Sequence, residues 1–131
     1  MMQRILIVDD DANILKILRF KLERAGYRVE TACNGAIAVE SIKLAPPDLV
    51  LLDIMMPEMD GIELVGRLRG HAEWRTIPVF VVTARGQMAD KKIAFRLGVE
   101  DYITKPFSPA EVVDRVRAFF EDRNRRKSPS D

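Results

Sequence analysis

An unbroken apolar run, Leu49-Val50-Leu51-Leu52, ends on a carboxylate, Asp53, and is followed by Ile54-Met55-Met56-Pro57-Glu58-Met59-Asp60-Gly61. A run without polar alternation, closed by Pro and Gly, fits a strand covered on both faces, as in the middle of a parallel sheet. Open sheets of this kind place ligands just beyond the carboxyl ends of their strands. Asp53 therefore lies where chemistry is done, with a plain turn-forming role as the alternative until the other strand ends are read.

The same pattern recurs along the chain. Ile5-Leu6-Ile7-Val8 is a second buried-strand run that stops at Asp9-Asp10-Asp11. Ile14, Leu18, Leu22 and Ala25 follow at helical spacing up to Gly26, with Asp11 as the expected N-cap. Arg28 to Ala32 reads as a short strand with Val29 inward. Asn34-Gly35 then opens a helix with Ala38, Ile42 and Ala45 on one face, stopped by Pro46-Pro47. Asp60-Gly61-Ile62-Glu63 starts a third helix in an N-cap pattern, with Val65 and Leu68 inward. Val79 to Val82 is a fourth strand ending at Thr83-Ala84. A helix from about Met88 to Leu97 has a weak apolar face of Ala94, Phe95 and Leu97, and is expected to be the most loosely held element. Asp101 to Thr104 is the fifth strand, leading to Lys105-Pro106-Phe107. Ser108-Pro109-Ala110-Glu111 has the form of a capping box opening a last helix, with Val112, Val116, Phe119 and Phe120 inward. Strands alternating with helices predict an α/β fold, a doubly wound five-stranded parallel sheet with right-handed crossovers.

Composition narrows the function classes. At 131 residues, 47% hydrophobic and 31% charged, the chain is long enough for one core without disulfides or a structural metal. No apolar run approaches the roughly 20 residues of a membrane span and no leader pattern opens the chain, so a cytoplasmic domain off the membrane is expected. A formal charge of +1 argues against direct nucleic-acid binding. Cys33 is read as small packing near a strand end, and His71 and Trp74 as surface or partly packed residues without chemistry. The domain is taken as 4–122, with the basic stretch Arg123, Arg125, Arg126, Lys127 and the following Ser128-Pro129-Ser130-Asp131 as a polar tail or the start of a linker.

In a parallel sheet the residues just past strands one, three, four and five converge: Asp9, Asp10, Asp53, Thr83 and Lys105. Crowded carboxylates destabilise one another unless a cation neutralises them, and an all-oxygen set suits a hard divalent ion such as Mg²⁺ or Mn²⁺. An ammonium and a hydroxyl beside such a site are what a phosphoryl group needs, and a carboxylate can itself be the nucleophile, giving an acyl phosphate.

Four segments, Ile5 to Asp11, Leu51 to Gly61, Thr83-Ala84-Arg85-Gly86 and Asp101 to Pro109, carry a resemblance to the receiver domains of two-component response regulators. These are CheY-like, flavodoxin-like folds with strand order 2-1-3-4-5, and the chain is most similar to the phosphate-regulon (PhoB/OmpR-type) class. The resemblance implies Asp53 as phospho-acceptor and metal ligand, with Asp10 ligating the metal directly, Asp9 acting mainly through water and the Met55 backbone carbonyl completing the protein's share, Thr83 and Lys105 on phosphoryl oxygens, Tyr102 as a switch residue coupled to Thr83, and a cis Lys105-Pro106 bond. It implies a sensor histidine kinase or phosphotransfer protein as partner. The domain would not be a conventional enzyme but one assisting its own phosphorylation and dephosphorylation. It also implies a phosphorylation-dependent homodimer through the fourth helix, fifth strand and fifth helix, where Lys91, Asp101, Glu111 and Arg115 supply pairing charges while Arg96 and Asp122 depart from the usual signs. The rivals are a metal-dependent phosphatase with an Asp nucleophile, which would carry a second Asp where Met55 stands, and an unphosphorylated docking module.

Overall fold

The structure, a computed structural model, describes residues 2–56 and 60–127; Pro57, read as closing the apolar run, with Glu58 and Met59, and the tail segment Ser128–Asp131 lie outside the described residues. The elements run β1 (Arg4–Val8), α1 (Ala12–Arg24), β2 (Arg28–Ala32), α2 (Gly35–Leu44), β3 (Leu49–Leu52), α3 (Gly61–Gly70), β4 (Val79–Thr83), α4 (Met88–Arg96), β5 (Asp101–Thr104) and α5 (Pro109–Lys127). The strands form one parallel sheet in the order β2-β1-β3-β4-β5. Val8 stands beside Leu52, Leu52 beside Val81 and Thr83 beside Thr104, so the carboxyl ends of β1, β3, β4 and β5 form one edge.

Strand side chains alternate between two cores, as the period of two requires. Leu6, Val8, Val50, Leu52, Val79 and Val81 pack with Ala38, Ile42, Leu64, Leu68 and Ala94 from α2, α3 and α4. Ile5, Ile7, Leu49, Leu51, Phe80 and Val82 pack with Leu18, Leu22, Val112, Val116 and Phe120 from α1 and α5. Both faces of the sheet are thus covered, which is why the strands read as continuous apolar runs.

Helix starts follow their caps. Asp11 accepts the N–H groups of Asn13 and Ile14 at 2.9 and 3.4 Å, and Asn34 accepts that of Ile37 at 2.8 Å. The predicted capping box at Ser108 does not form: the Ser108 carbonyl takes the Glu111 and Val112 N–H groups, while the Glu111 carboxylate turns to Arg115 at 3.1 Å. Helix α4 buries only Ala94, in keeping with its weak apolar face, and it has no side-chain cap; Leu97 just past it packs partly against the core, while Phe95, expected inward, is exposed.

Three other expectations change. Trp74 is buried, because the 71–76 connection folds back and seats the indole in the core, with the His71 ring stacked on it at a centroid distance of 3.9 Å. Cys33 is exposed, since it lies one residue past β2 and outside both cores. The basic stretch from Arg123 continues α5 to Lys127, where Arg125 and Arg126 pair with Asp122 at 3.5 and 3.2 Å.

Candidate functional site

The chain turns sharply from strand to helix at the carboxyl edge, and backbone hydrogen bonds hold these turns. The Asp53 N–H donates to the Val8 carbonyl at 2.9 Å, the Asp9 N–H to that of Ala32 at 3.1 Å and the Lys105 N–H to that of Thr83 at 2.7 Å. Beyond β3, Gly61 lets α3 close on the turn: a Cβ there would stand 2.4 Å from the Ile54 Cα and 2.8 Å from the Asp53 carbonyl oxygen, both fixed backbone atoms. The Gly61 N–H completes the contact on the Ile54 carbonyl at 3.1 Å. The Lys105-Pro106 bond is cis.

These turns bring the residues picked from the sequence into one cluster. Carboxylate oxygens of Asp9, Asp10 and Asp53 lie within 4.8 Å of one another. Asp9 and Asp53 are buried and Asp10 is exposed, so the cluster is reached from solvent past Asp10. Lys105 Nζ donates to Asp9 and Asp53 at 2.8 Å each. The other Asp53 oxygen accepts the Met55 N–H and the hydroxyl of fully buried Thr83, both at 2.8 Å, and Asp9 also accepts the Asp11 N–H at 2.9 Å. Asp11 itself is spent on capping α1.

Burial pushes the Asp9 carboxyl above the ordinary carboxylate value, although the Lys105 hydrogen bond, the Asp11 N–H and the Lys105 charge pull it back. For Lys105 burial pulls downward, but hydrogen bonds to Asp53 and Asp9 and their charges outweigh it and hold the ammonium above the usual lysine value. One cation thus faces three carboxylates, an excess of negative charge in a partly desolvated place. Hard oxygen donors this close together fit a small divalent cation such as Mg²⁺.

Next to the cluster the structure links Thr83 to Tyr102. The Arg85 N–H donates to Thr83 Oγ1 at 3.3 Å, and the Tyr102 hydroxyl donates to the Arg85 carbonyl. Tyr102 is buried against Phe95, with Lys91 Nζ 5.7 Å from its ring centroid. Burial first, and the Asp90 charge second, raise its phenol above the ordinary tyrosine value.

The remaining predicted charges meet within the chain. Arg115 bonds Asp101 at 2.9 Å and Glu111 at 3.1 Å, so three of the residues expected to pair between two copies satisfy one another in one. Sequence reasoning missed the backbone of Arg85 as the bridge between Thr83 and Tyr102, since no side-chain pattern reports it. It also missed an apolar groove of about 550 Å³ beside Lys105, lined by Ile14, Ile17, Ala84, Pro106, Phe107 and Pro109. Ile17, which lies off the inward face of α1 and is exposed, was its signal in the sequence.

Comparison with known proteins identifies the family and the fold. The family model described as the response regulator receiver domain matches residues 5–117. The chain is 43% identical over 118 residues to the alkaline phosphatase synthesis transcriptional regulatory protein PhoP of Bacillus subtilis, covering 90% of this chain and 48% of that one. It is 46% identical over 115 residues to the transcriptional regulatory protein ResD of the same organism, covering 88% and 47%. The chain spans about half the length of the curated relatives it matches. Among solved structures, a putative response regulator from Chloroflexus aurantiacus superposes with a TM-score of 0.83 at 37% identity, covering 90% of this chain and 97% of that one. The beryllofluoride-activated DrrB receiver domain superposes with a TM-score of 0.82 at 33% identity, covering 92% and 99%.

Proposed function

Because this chain belongs to the response regulator receiver domain family, we propose that Asp53 accepts a phosphoryl group from a histidine kinase or a phosphotransfer protein. The observation that carries this is the pair of 2.8 Å contacts from Lys105 Nζ to Asp9 and Asp53, which sets an ammonium between the nucleophile and a second acid. An Asp53 oxygen would form the bond to phosphorus as the bond to the donor's leaving nitrogen breaks, giving an acyl phosphate. Lys105 and Thr83, now bonded to Asp53, would pass their hydrogen bonds to phosphoryl oxygens, and the Met55 N–H would keep the carboxylate oriented. Mg²⁺ held by Asp9, Asp10, Asp53 and the Met55 carbonyl would neutralise charge on the transferring group. The apolar groove beside Lys105 supplies a surface on which the donor protein would rest.

Phosphorylation would be read through Thr83 and Tyr102 at the face of α4, β5 and α5, by self-association or by a partner. Arg115 already has two acidic partners in its own chain. A two-fold contact there would therefore exchange these exposed pairs for equivalent ones between copies, setting register more than affinity. Met88, Ile93 and Phe95 on α4 are exposed and would supply the apolar part.

Intact-mass measurement after acetyl phosphate and Mg²⁺ tests the reading. One added phosphoryl group that is absent from Asp53→Asn and from samples treated with chelator is the expected result. Labelling that persists in Asp53→Asn refutes the assignment.

A further inference from the structure

We propose that the edge of the sheet opposite the acidic cluster holds a second site, for a small multivalent oxyanion of the phosphate class. A cavity of about 580 Å³ opens there between the α3–β4 connection, the end of α4 and the end of α5. Its lining includes Arg69, Arg75, Thr76, Arg96, Glu100 and Arg123, so four arginines stand with a single carboxylate.

Arg69 is the fixed part. Its guanidinium donates to the carbonyls of Leu97 and Ile77 at 2.8 Å each and to those of Arg75 and Gly98 at 3.2 Å each. It thereby ties the connection that carries Arg75 to the turn that follows Arg96, which pre-organises the lining before a ligand arrives. Arg75, Arg96 and Arg123 enter none of the ion pairs among the described residues. Their neighbours Arg125 and Arg126 are both paired with Asp122, whereas Arg123 lies over the Phe119 ring, 5.8 Å from its centroid, with no acid partner among the described residues.

The plainer account is that cations collect where helices end, since α3, α4 and α5 all end at this edge and their terminal carbonyls favour positive charge. That explains Arg69 and Arg96, which lie in last turns, but not Arg75, which lies on no helix. The ligand class follows from the lining. Leu97 is the one apolar side chain in it, so the buried apolar anchors of a protein contact are missing. A volume in the range of small-molecule sites, with several planar donors and the Thr76 hydroxyl, suits a compact anion with many oxygens.

Titration of ¹⁵N-labelled full chain with sodium tripolyphosphate tests this, in divalent-free buffer with ionic strength held constant by NaCl. Saturable shifts at the Thr76, Gly98 and Glu100 amides, with none at Asp10 or Met55, are expected. Arg75→Gln with Arg96→Gln should weaken binding at least about tenfold, as loss of charge-assisted hydrogen bonds implies, while Arg125→Gln leaves it unchanged. Three results overturn the proposal: shifts that do not saturate, equal affinity in the double variant with a native-like spectrum, or equal affinity for citrate, which would place the preference outside phosphates.

Discussion

The Thr83 hydroxyl and the Asp53 carboxylate are joined by a buried hydrogen bond of 2.8 Å, and the same hydroxyl accepts the Arg85 N–H, whose residue receives Tyr102. The path from Asp53 to Tyr102 is thus continuous. Thr83→Val keeps shape and removes the hydroxyl, leaving the Arg85 N–H without its acceptor. We expect a loss of about 1–3 kcal/mol in urea denaturation. We also expect the Tyr102 ring resonances to become insensitive to beryllofluoride, whereas Thr83→Ser should retain the response.

A divalent cation held by the three carboxylates would be a stabilising ligand. Mg²⁺ at about 100 times its dissociation constant should raise stability by about 2.7 kcal/mol, read as a higher melting temperature. Asp10→Asn should weaken that response at least tenfold. Asp11→Ala should leave Mg²⁺ affinity intact yet cost about 1 kcal/mol, because Asp11 caps α1 and does not face the cluster. Equal loss of Mg²⁺ response in the two variants would contradict the division of roles.

Asp9 and Lys105 give opposite ends of a stability profile. Burial holds the Asp9 carboxyl above the ordinary carboxylate value of 3.8, so folding favours the protonated form. That contribution is fully present below 3.8 and is lost as pH rises through the raised folded value. In chelated buffer Asp9→Asn should flatten this acidic part of the melting-temperature curve. Lys105 is raised above 10.5, so its contribution is present below 10.5 and disappears as pH rises through the folded value. Lys105→Met should remove that alkaline step.

Gly61→Ala adds a methyl group where the Ile54 Cα lies 2.4 Å from an ideal Cβ. Backbone must move, at a cost of about 1–3 kcal/mol or more. Since the strained turn carries Asp53, acetyl phosphate labelling should slow along with the loss of stability. Gly66→Ala, which has open space around the added Cβ, is the control expected to leave labelling unchanged.

Much of this molecule is determined locally and is therefore visible in the chain. The apolar runs at Ile5–Val8, Leu49–Leu52 and Val79–Val82 mark strands buried on both faces, and Asp11 and Asn34 cap helices through bonds two or three residues away. Once the strands are parallel, the residues following them must share one edge, which brings Asp9, Asp10, Asp53, Thr83 and Lys105 together. Tertiary structure alone decided the pairings of long or central side chains whose partners are remote or mutually competing. Lys105 reaches Asp9 across 96 positions of sequence, and Arg69 meets the Leu97 carbonyl across 28. Arg115 chooses Asp101 and Glu111 within its own chain, which also draws Glu111 away from the cap that its spacing suggests. Periodicity reports which face of an element is apolar. It does not report how a connection such as 71–76 folds back to bury Trp74, or how closely two elements approach, and these contacts follow from the packing of whole elements against one another.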